Sequence, residues 1–147
     1  MPERIGPFFG EYRWLSNFWP SPVRYEGLLF PTVEHAYQAA KCLHQEDKIR
    51  IQQAKTPVEA KRMGRRVALR PDWEQIKLDI MRSLLRQKFA PGTKLAQQLI
   101  ATGDTQLVEI NTWGDYYWGV CNGKGENHLG RLLMEIREEL KKAQPVN

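Results

Sequence analysis

The sequence predicts a single domain that is built mostly of helices and contains a few short strands. Its 147 residues suit one domain with a full core, and neither an internal repeat nor a low-complexity linker divides them. After residue 31, apolar residues recur mainly every three to four positions, as in amphipathic helices. Alternating patterns are confined to short stretches near residues 23–30 and 106–111. We therefore expect residues 1–147 to form one domain.

The first thirty residues are rich in aromatic residues and proline, a composition that favours short strands and loops. Val23 and Tyr25 alternate with polar neighbours, and Glu26-Gly27 supplies a turn before the apolar run Leu28–Phe30. The pattern predicts a small β-hairpin.

A helix is predicted to follow the hairpin, because Thr32 is a good N-cap residue. At about 100° per residue, Glu34, Gln38 and Lys41 fall within roughly 60° of one another on one face. This face carries an acid, an amide and an ammonium group, so it is either a catalytic surface or a solvated face with one pair of opposite charges. Four residues of the opposite face are expected in the core: Val33, Ala36, Ala40 and Leu43.

Caps and stop signals mark the later elements. A capping box over residues 56–59 opens one helix, which Gly64 can end. Pro71 opens a longer helix that the Pro91-Gly92 pair stops. Similar signals predict three more elements: a short helix over residues 93–101, a half-buried strand over 106–111 and an amphipathic helix over 127–142.

The composition is that of a globular protein, with 41% apolar and 27% charged residues. The sequence shows neither a cationic leader followed by an apolar run nor a stretch approaching 18 apolar residues. We expect the protein to be soluble and cytoplasmic, without a membrane partner. Cys42 and Cys121 lack metal-ligand spacing and are expected to be packed thiols, and no motif for a metal or redox cofactor is present.

Twenty-two Lys and Arg residues against seventeen Asp and Glu residues give a formal charge of +5, which favours anionic partners. Much of the positive charge lies in one stretch, which is either a phosphate-binding surface or a solvated helix face. Its members are Lys55, Lys61, Arg62, Arg65, Arg66 and Arg70.

A second chemical segment precedes the last predicted helix, at residues 111–127. Its four glycines would let backbone amides approach a ligand, and the helix N-terminus near Asn127 would offer donors to an anion. Trp113 and Trp118 would then sandwich a flat base, with Asp115 beside polar ligand atoms. The alternative is a glycine-rich turn whose tryptophans cover the core. Neither a P-loop nor a dinucleotide-binding glycine motif is present.

Several blocks of the sequence occur together in a known order and spacing. They are Phe9-Gly10, Trp14-Leu15-Ser16-Asn17-Phe18, Pro31-Thr32-Val33-Glu34-His35-Ala36-Tyr37-Gln38-Ala39-Ala40-Lys41, Ala60-Lys61-Arg62-Met63-Gly64-Arg65, Lys88-Phe89, Thr102-Gly103-Asp104, Leu107-Val108-Glu109, Asp115 with Trp118-Gly119, Gly125-Glu126-Asn127-His128-Leu129-Gly130 and Leu133-Met134. From about residue 8 to residue 140, the chain resembles the NADAR (YbiA-like) N-glycosidase family.

The resemblance implies a compact, mostly helical α+β domain of the YbiA-like type, which hydrolyses the N-glycosidic bond between a ribose and a nitrogenous base. Two substrates are associated with this family: ADP-ribose attached to guanine in nucleic acid, and a ribosylamino-pyrimidine phosphate intermediate of riboflavin synthesis. Breaking such a bond builds positive charge on the sugar and negative charge on the base. The site therefore needs a carboxylate near the anomeric carbon, a donor to the base and a grip on phosphate.

Three residues are the candidates for catalysis. Glu34 would stabilise the sugar cation or activate water, and Asp115 would position the ribose hydroxyls or share the acid/base work. Lys41 would donate to the leaving base or attack the anomeric carbon as an amine, and both routes stay open. We expect His35, about 100° around the helix from Glu34, to orient a ligand or make a structural hydrogen bond rather than transfer the proton.

The remaining candidates are expected to bind substrate. Arg13, Lys61 and Arg65 would contact phosphate, and Trp14 and Trp118 would stack on the base. The full set is Arg13, Trp14, Ser16, Asn17, His35, Gln38, Lys61, Arg65, Trp118, Gly119 and Asn127.

Three functions follow, in order of preference. The first is removal of ADP-ribose from ADP-ribosylated guanine in nucleic acid, an antitoxin-like reversal that would pair with a DNA ADP-ribosyltransferase. The second is the same chemistry on the phosphorylated riboflavin precursor. The third is a non-catalytic module that binds ADP-ribose or a nucleotide, which would not need Glu34, Lys41 and Asp115 together.

Overall fold

A computed structural model describes residues 3–144, which separate into two compact units. The middle unit is Asn17–Lys88, and the terminal unit comprises the chain up to Ser16 and from Phe89 onward. The assignment of residues 1–147 to one domain stays a prediction, and its first two and last three residues lie outside the described residues.

The described chain contains six α-helices, a 3-10 helix at Gly10–Leu15 and strands of two or three residues, which confirms the predicted fold class. The strands are β1 (Arg4–Ile5), β2 (Val23–Tyr25), β3 (Leu28–Phe30), β4 (Gln106–Leu107), β5 (Ile110–Asn111) and β6 (Val120–Cys121). The α-helices are α1 (Val33–Ala40), α2 (Gln45–Gln52), α3 (Pro57–Gly64), α4 (Trp73–Lys88), α5 (Lys94–Ala101) and α6 (His128–Ala143).

Helix α1 is the centre of the middle unit. It packs against α2, α3, α4 and the β2–β3 hairpin, and all eight of its residues are buried. The predicted hairpin is confirmed: Val23 pairs with Phe30 and Tyr25 with Leu28 in antiparallel register. Glu26 and Gly27 both take positive φ in its turn, as a tight two-residue hairpin requires.

Threonine caps begin three helices where the sequence predicts them. Thr32 accepts a hydrogen bond from the His35 backbone, and Thr56 accepts one from Glu59, with Pro57 in the first turn of α3. Thr93 likewise caps α5. These caps satisfy backbone donors that a helix start otherwise leaves unpaired.

In the terminal unit, α6 packs on α5 and β4. The predicted continuous strand over 106–111 is wrong, because the segment changes partner halfway. Strand β4 pairs in parallel with β1, whereas β5 pairs in parallel with β6. Between them, the Glu109 N–H donates to the Asn127 side chain rather than to a strand.

Leu43 was expected in the core, but it is 51% exposed. The helix ends at Ala40 with Lys41 as its C-cap, so Leu43 no longer follows the helical period. Helix α2 was not predicted, since Ile51 is its one fully buried residue and its apolar pattern is weak. The long helix begins at Trp73 rather than at Pro71.

Both cysteines are free and buried. Burial raises the pKa of the Cys42 thiol to about 11, so this side chain is a packed thiol rather than a nucleophile at neutral pH. Among residues 3–144, no helix is long and apolar enough to cross a lipid bilayer.

Replacing Thr56 tests the cap that begins α3. Thr56→Ala should lower the free energy of unfolding by about 1 kcal/mol, because the Glu59 N–H loses its acceptor. Thr56→Ser keeps a side-chain oxygen and is the matched control. Urea unfolding of both variants measures the effect, and equal stability of the alanine and serine variants would contradict it.

Candidate active site

Glu34 lies in the first turn of α1 as a buried carboxylate, only 7% exposed. Its backbone N–H donates to the Asn17 carbonyl at 3.1 Å, and its Oε1 accepts from Gln38 Nε2 at 2.9 Å. A hydrogen bond to an ionised acceptor is stronger than one between neutral groups. Two residues of the predicted site, Glu34 and Gln38, are therefore joined directly.

Lys41 is the C-cap residue of α1, and its ammonium lies over the ring of Tyr37 at 5.9 Å. Burial lowers the pKa of Lys41, and the positive charges of Arg65 and Lys61 lower it further. The carboxylate of Glu34 acts on this pKa in the opposite direction. Glu34, Lys61 and Arg65 thus all act on Lys41 within the middle unit, and the free-amine form of Lys41 is more accessible than in an ordinary lysine.

The basic stretch divides into two kinds of residue. Arg62, Arg65 and Arg66 are exposed, and the half-buried Lys61 lies over the Phe18 ring at 6.0 Å. Arg70 is committed to structure, because it pairs with Asp72 at 2.7 Å and donates to the Tyr25 hydroxyl. The end of α3 and the residues after it therefore present cations that can meet phosphate.

Two amide side chains of the middle unit have oxygens without a donor. Within residues 3–144, neither Asn17 Oδ1 nor Gln38 Oε1 has a hydrogen-bond partner, although both atoms are buried. The Asn17 amide nitrogen donates to the sulfur of Met81 at 3.6 Å. An unsatisfied buried acceptor costs free energy, so the Asn17 oxygen indicates a place where a ligand donor would stabilise the protein.

His35 has both ring nitrogens engaged inside the protein. Nε2 lies 3.0 Å from the Ala54 carbonyl, so it carries the proton and donates, and Nδ1 then accepts from the Thr32 hydroxyl at 2.8 Å. Burial lowers the pKa of His35, which favours this neutral ring. The geometry supports the structural role considered for His35 and leaves its ring without a free nitrogen for a ligand.

Asp115 organises its own loop in the terminal unit. Its Oδ1 accepts from the backbone N–H groups of Trp118 at 2.9 Å and Tyr117 at 3.2 Å. Its backbone N–H and carbonyl are both bound by the Asn111 side chain. A carboxylate held in this way is fixed in position, which suits a catalytic or binding group as well as a turn.

The backbone N–H groups at the start of α6 are hydrogen-bonded within the protein. The N–H groups of Asn127, His128 and Leu129 donate to carbonyls of the preceding loop, at Gly119, Tyr117 and Trp118. The expectation that this helix N-terminus offers donors to an anion is therefore wrong. The Asn127 side chain is also used internally, because it accepts from the Glu109 N–H and donates to the Leu107 carbonyl.

Gly119 permits a close approach of backbone and side chain. A Cβ at this position would collide with the Glu109 carbonyl and carboxylate and would lie 2.8 Å from Asn111 Nδ2. The absence of a side chain thus makes room for the protein's own groups.

The aromatic candidates differ in their exposure to solvent. Trp118 is half-buried and meets Tyr117 edge-on, with ring centres 4.8 Å apart. Trp14 is buried and packs edge-on against Phe89, as a core residue does. Trp113 is about half exposed. Of the three tryptophans, Trp113 and Trp118 keep surface on which a base can stack.

The predicted site residues fall into two groups. The middle unit holds Asn17, Glu34, His35, Gln38, Lys41, Lys61 and Arg65. The terminal unit holds Arg13, Trp14, Ser16, Asp115, Trp118, Gly119 and Asn127. Arg13 is exposed in the 3-10 helix, whose last turn the Ser16 N–H closes on the Arg13 carbonyl. Within the described residues, no cluster of three or more His, Cys, Asp or Glu side chains is arranged to hold a metal ion.

Comparison with known proteins places the chain in a family. The family model of the NADAR domain matches residues 7–141. The chain belongs to the NADAR family. It is 44% identical over 133 residues to N-glycosidase YbiA of Shigella flexneri serotype 5b (strain 8401), a match that covers 88% of this chain and 82% of that protein.

The NADAR assignment extends to the three-dimensional structure. The NMR structure of the E. coli protein YbiA superimposes with a TM-score of 0.84 at 38% identity, covering 98% of this chain and 88% of that one. A riboflavin biosynthesis protein of Vibrio vulnificus (strain YJ016) is 41% identical over 140 residues, but the match covers only 37% of that longer protein. These relatives support N-glycosidase activity for this NADAR chain.

Lys88 is a chemically unusual residue to which the sequence pattern gives no role. It is only 2% exposed, and burial lowers its pKa to about 7. A lysine in the last turn of a helix normally indicates a solvated cation that favours the helix dipole, so the sequence carried no signal for this burial. Lys88 is therefore a second amine of this NADAR domain with altered basicity.

Stability should depend on pH through His35. Its folded pKa lies below the ordinary 6.5, so the unfolded chain binds a proton first as the pH falls. This contribution to the free energy of unfolding is fully present above pH 6.5 and is lost below it. Urea unfolding of the wild type and His35→Gln between pH 5 and 8 measures it. The variant should lose stability throughout and show a flatter pH dependence below 6.5, whereas equal slopes would contradict this origin.

Proposed function

We propose that this NADAR protein removes ADP-ribose from ADP-ribosylated guanine in nucleic acid. Glu34 and Lys41 carry the proposal, because one buried helix brings a held carboxylate and an amine of lowered pKa into mutual electrostatic contact. A carboxylate can stabilise the sugar cation, and an amine can act as the donor to the base or as the nucleophile when a bond between ribose and base is cleaved. A surface charge pair would need neither the burial of Glu34 nor its hydrogen bond from Gln38.

Glu34 acts on the sugar. As the bond from the anomeric carbon to the base nitrogen breaks, positive charge develops on the ribose ring, and a buried carboxylate stabilises it far better than one in water. In the direct route, Glu34 also takes a proton from the attacking water. The water oxygen bonds to the anomeric carbon, and the bonding electron pair leaves with the base nitrogen, which is then protonated.

Lys41 supports either of two routes. As an ammonium, it donates a proton to the leaving base nitrogen. As a free amine, it bonds to the anomeric carbon while the base leaves with its electron pair, and the proton that the amine loses goes to the base nitrogen. Ring opening then gives an iminium that water hydrolyses, which frees the sugar and the lysine. The lowered pKa of Lys41 increases the fraction of free amine that the second route needs.

The substrate's phosphates would be held by the cations around α3. Lys61 and Arg65 are near enough to Lys41 to lower its pKa, so they lie within the electrostatic range of the reacting sugar. Arg62 and Arg66 are exposed beside them and would follow the nucleic-acid backbone. A diphosphate attached to a nucleic acid fits this charge better than a single phosphate. The buried Asn17 oxygen would accept from a ligand hydroxyl or amine.

Three candidates in the terminal unit keep the roles that the sequence predicts for them. Asp115 would hold the ribose hydroxyls or share the acid/base work, Trp118 would stack on the base, and Arg13 would bind phosphate. The protein would act as an antitoxin-like partner of a DNA ADP-ribosyltransferase, whose product it would reverse.

A second substrate has one specific observation in its favour. A relative from Vibrio vulnificus is named a riboflavin biosynthesis protein, and the ribosylamino-pyrimidine phosphate of that synthesis contains the same kind of bond. The same Glu34 and Lys41 would cleave it. A direct comparison of the two substrates separates the proposals.

The central test measures release of ADP-ribose from an oligonucleotide that carries ADP-ribosylated guanine. The wild type should release it, and Glu34→Gln and Lys41→Ala should each lower turnover at least about a hundredfold, since each removes a positioned acid/base or nucleophilic group. Val58→Ala, an exposed change on α3, is the control. Near-normal turnover in both site variants would show that α1 is not catalytic, whereas cleavage of only the pyrimidine substrate would favour the second function.

Borohydride reduction of the wild-type reaction, followed by peptide mass mapping, belongs to the same experiment. A sugar adduct on Lys41 supports the amine route, and an adduct on Lys88 would show that Lys88 is the nucleophile instead. Absence of any adduct, together with an inactive Lys41→Ala, leaves Lys41 as the donor to the base.

Asp115→Asn separates the chemical role of Asp115 from its role in the loop. Asparagine keeps an oxygen that accepts from the Trp118 and Tyr117 N–H groups, so thermal stability should stay close to that of the wild type. Turnover should nevertheless fall at least about a hundredfold if the charge takes part in the chemistry. Asp115→Ala should lose both stability and turnover. Full activity of Asp115→Asn would limit this residue to organising the loop.

A further inference from the structure

Helices α1 and α3 pack against each other, and Gly64 of α3 lies against the Gln38 side chain of α1. A Cβ at Gly64 would occupy the position of Gln38 Oε1 and would lie 2.7 Å from its Cδ and 3.2 Å from its Cβ. Contacts shorter than about 3 Å between carbon atoms are repulsive, so any residue larger than glycine must displace this side chain. Gly64 is buried, and the space above it belongs to the Gln38 amide.

The orientation of that amide is fixed by the chemistry of Glu34. Gln38 Nε2 donates to Glu34 Oε1 at 2.9 Å, and an ionised carboxylate can only accept. The amide oxygen must therefore point away from Glu34, which places it against Gly64. Since Oε1 has no hydrogen-bond partner among the described residues, Gly64 holds it by shape alone.

We propose that Gly64 and Gln38 are positioning residues that fix the Glu34 carboxylate, with Gly64 acting through the Gln38 amide. This inference rests on the proposed catalytic role of Glu34. It departs from the sequence expectation that Gln38 binds substrate, and it gives Gly64 a role beyond ending α3. Neither residue needs to touch the reacting atoms.

Two single variants and the corresponding double variant test whether Gly64 acts on Glu34 through the Gln38 amide. Gly64→Ala should lower kcat roughly tenfold to a hundredfold with little change in KM, because a small displacement of a catalytic group costs rate rather than binding. Gln38→Ala should do the same. In the Gln38→Ala background the amide is already absent, so adding Gly64→Ala should change kcat by no more than about twofold. Val58→Ala on the same helix is the control.

NMR spectroscopy gives a second readout that does not depend on turnover. The side-chain amide protons of Gln38, assigned in the NMR spectrum by their loss in Gln38→Ala, should shift in Gly64→Ala and in Glu34→Ala but not in Val58→Ala. Equal losses of kcat from Gly64→Ala in both backgrounds would overturn the inference, since they would show that Gly64 supports only the helix packing. An unshifted Gln38 signal in Gly64→Ala would also overturn it.

The two proposals fail in different ways. If Glu34→Gln is inactive while Gly64→Ala and Gln38→Ala keep full kcat, the positioning role is wrong and the proposed function stands. If Glu34→Gln is fully active, the catalytic role of Glu34 fails, and the positioning inference fails with it. If Gly64→Ala does not fold, folding of the Gly64→Ala/Gln38→Ala double variant supports the steric contact. Failure of the double variant as well would overturn it.

Discussion

The complete burial of α1 is the constraint on which the middle unit depends. Helices α2, α3 and α4 and the hairpin all pack on it, and no residue of α1 is exposed. A polar side chain on such a helix must find a partner within the protein. His35 is accordingly held at both ring nitrogens, and Glu34 is held by Gln38. The burial that makes these bonds necessary also strengthens the field of the Glu34 carboxylate.

The end of α1 sets the properties of the candidate amine. A cation at a helix C-terminus is favoured by the helix dipole, and Glu34 favours it further. Burial and the charges of Arg65 and Lys61 act in the opposite direction, and their effect on the pKa of Lys41 is the larger. The cations that would bind substrate phosphate therefore also prepare the amine. Burial is the largest of the causes that lower this pKa, and the two cations add to it.

Local signals predicted those parts of the fold that local interactions determine. The caps at Thr32, Thr56 and Thr93 and the Glu26-Gly27 turn each involve residues within a few positions of one another. The strands at residues 106–111 depend instead on partners about a hundred residues before and about ten residues after, so their alternating pattern could not show that the pairing changes midway. The prediction that Leu43 lies in the core was wrong for a related reason, because a period of 3.6 residues does not show where the helix ends.

In the candidate site, the sequence likewise predicts which residue types are present but not what surrounds them. The sequence identified an acid, an amide and an amine on one helical face, but it assigned the Gln38 amide to substrate and the loop glycines to ligand approach. In the structure, the Gln38 amide donates to Glu34, and Gly119 makes room for Glu109 and Asn111. A glycine in a functional segment can leave room either for a ligand or for another part of the protein. Only the contacts around its Cα show which of the two fills the space. Gly64 belongs to the second kind, yet it lies against the Gln38 amide that donates to Glu34. A packing requirement can therefore extend to the candidate catalytic carboxylate without any contact between this glycine and a ligand.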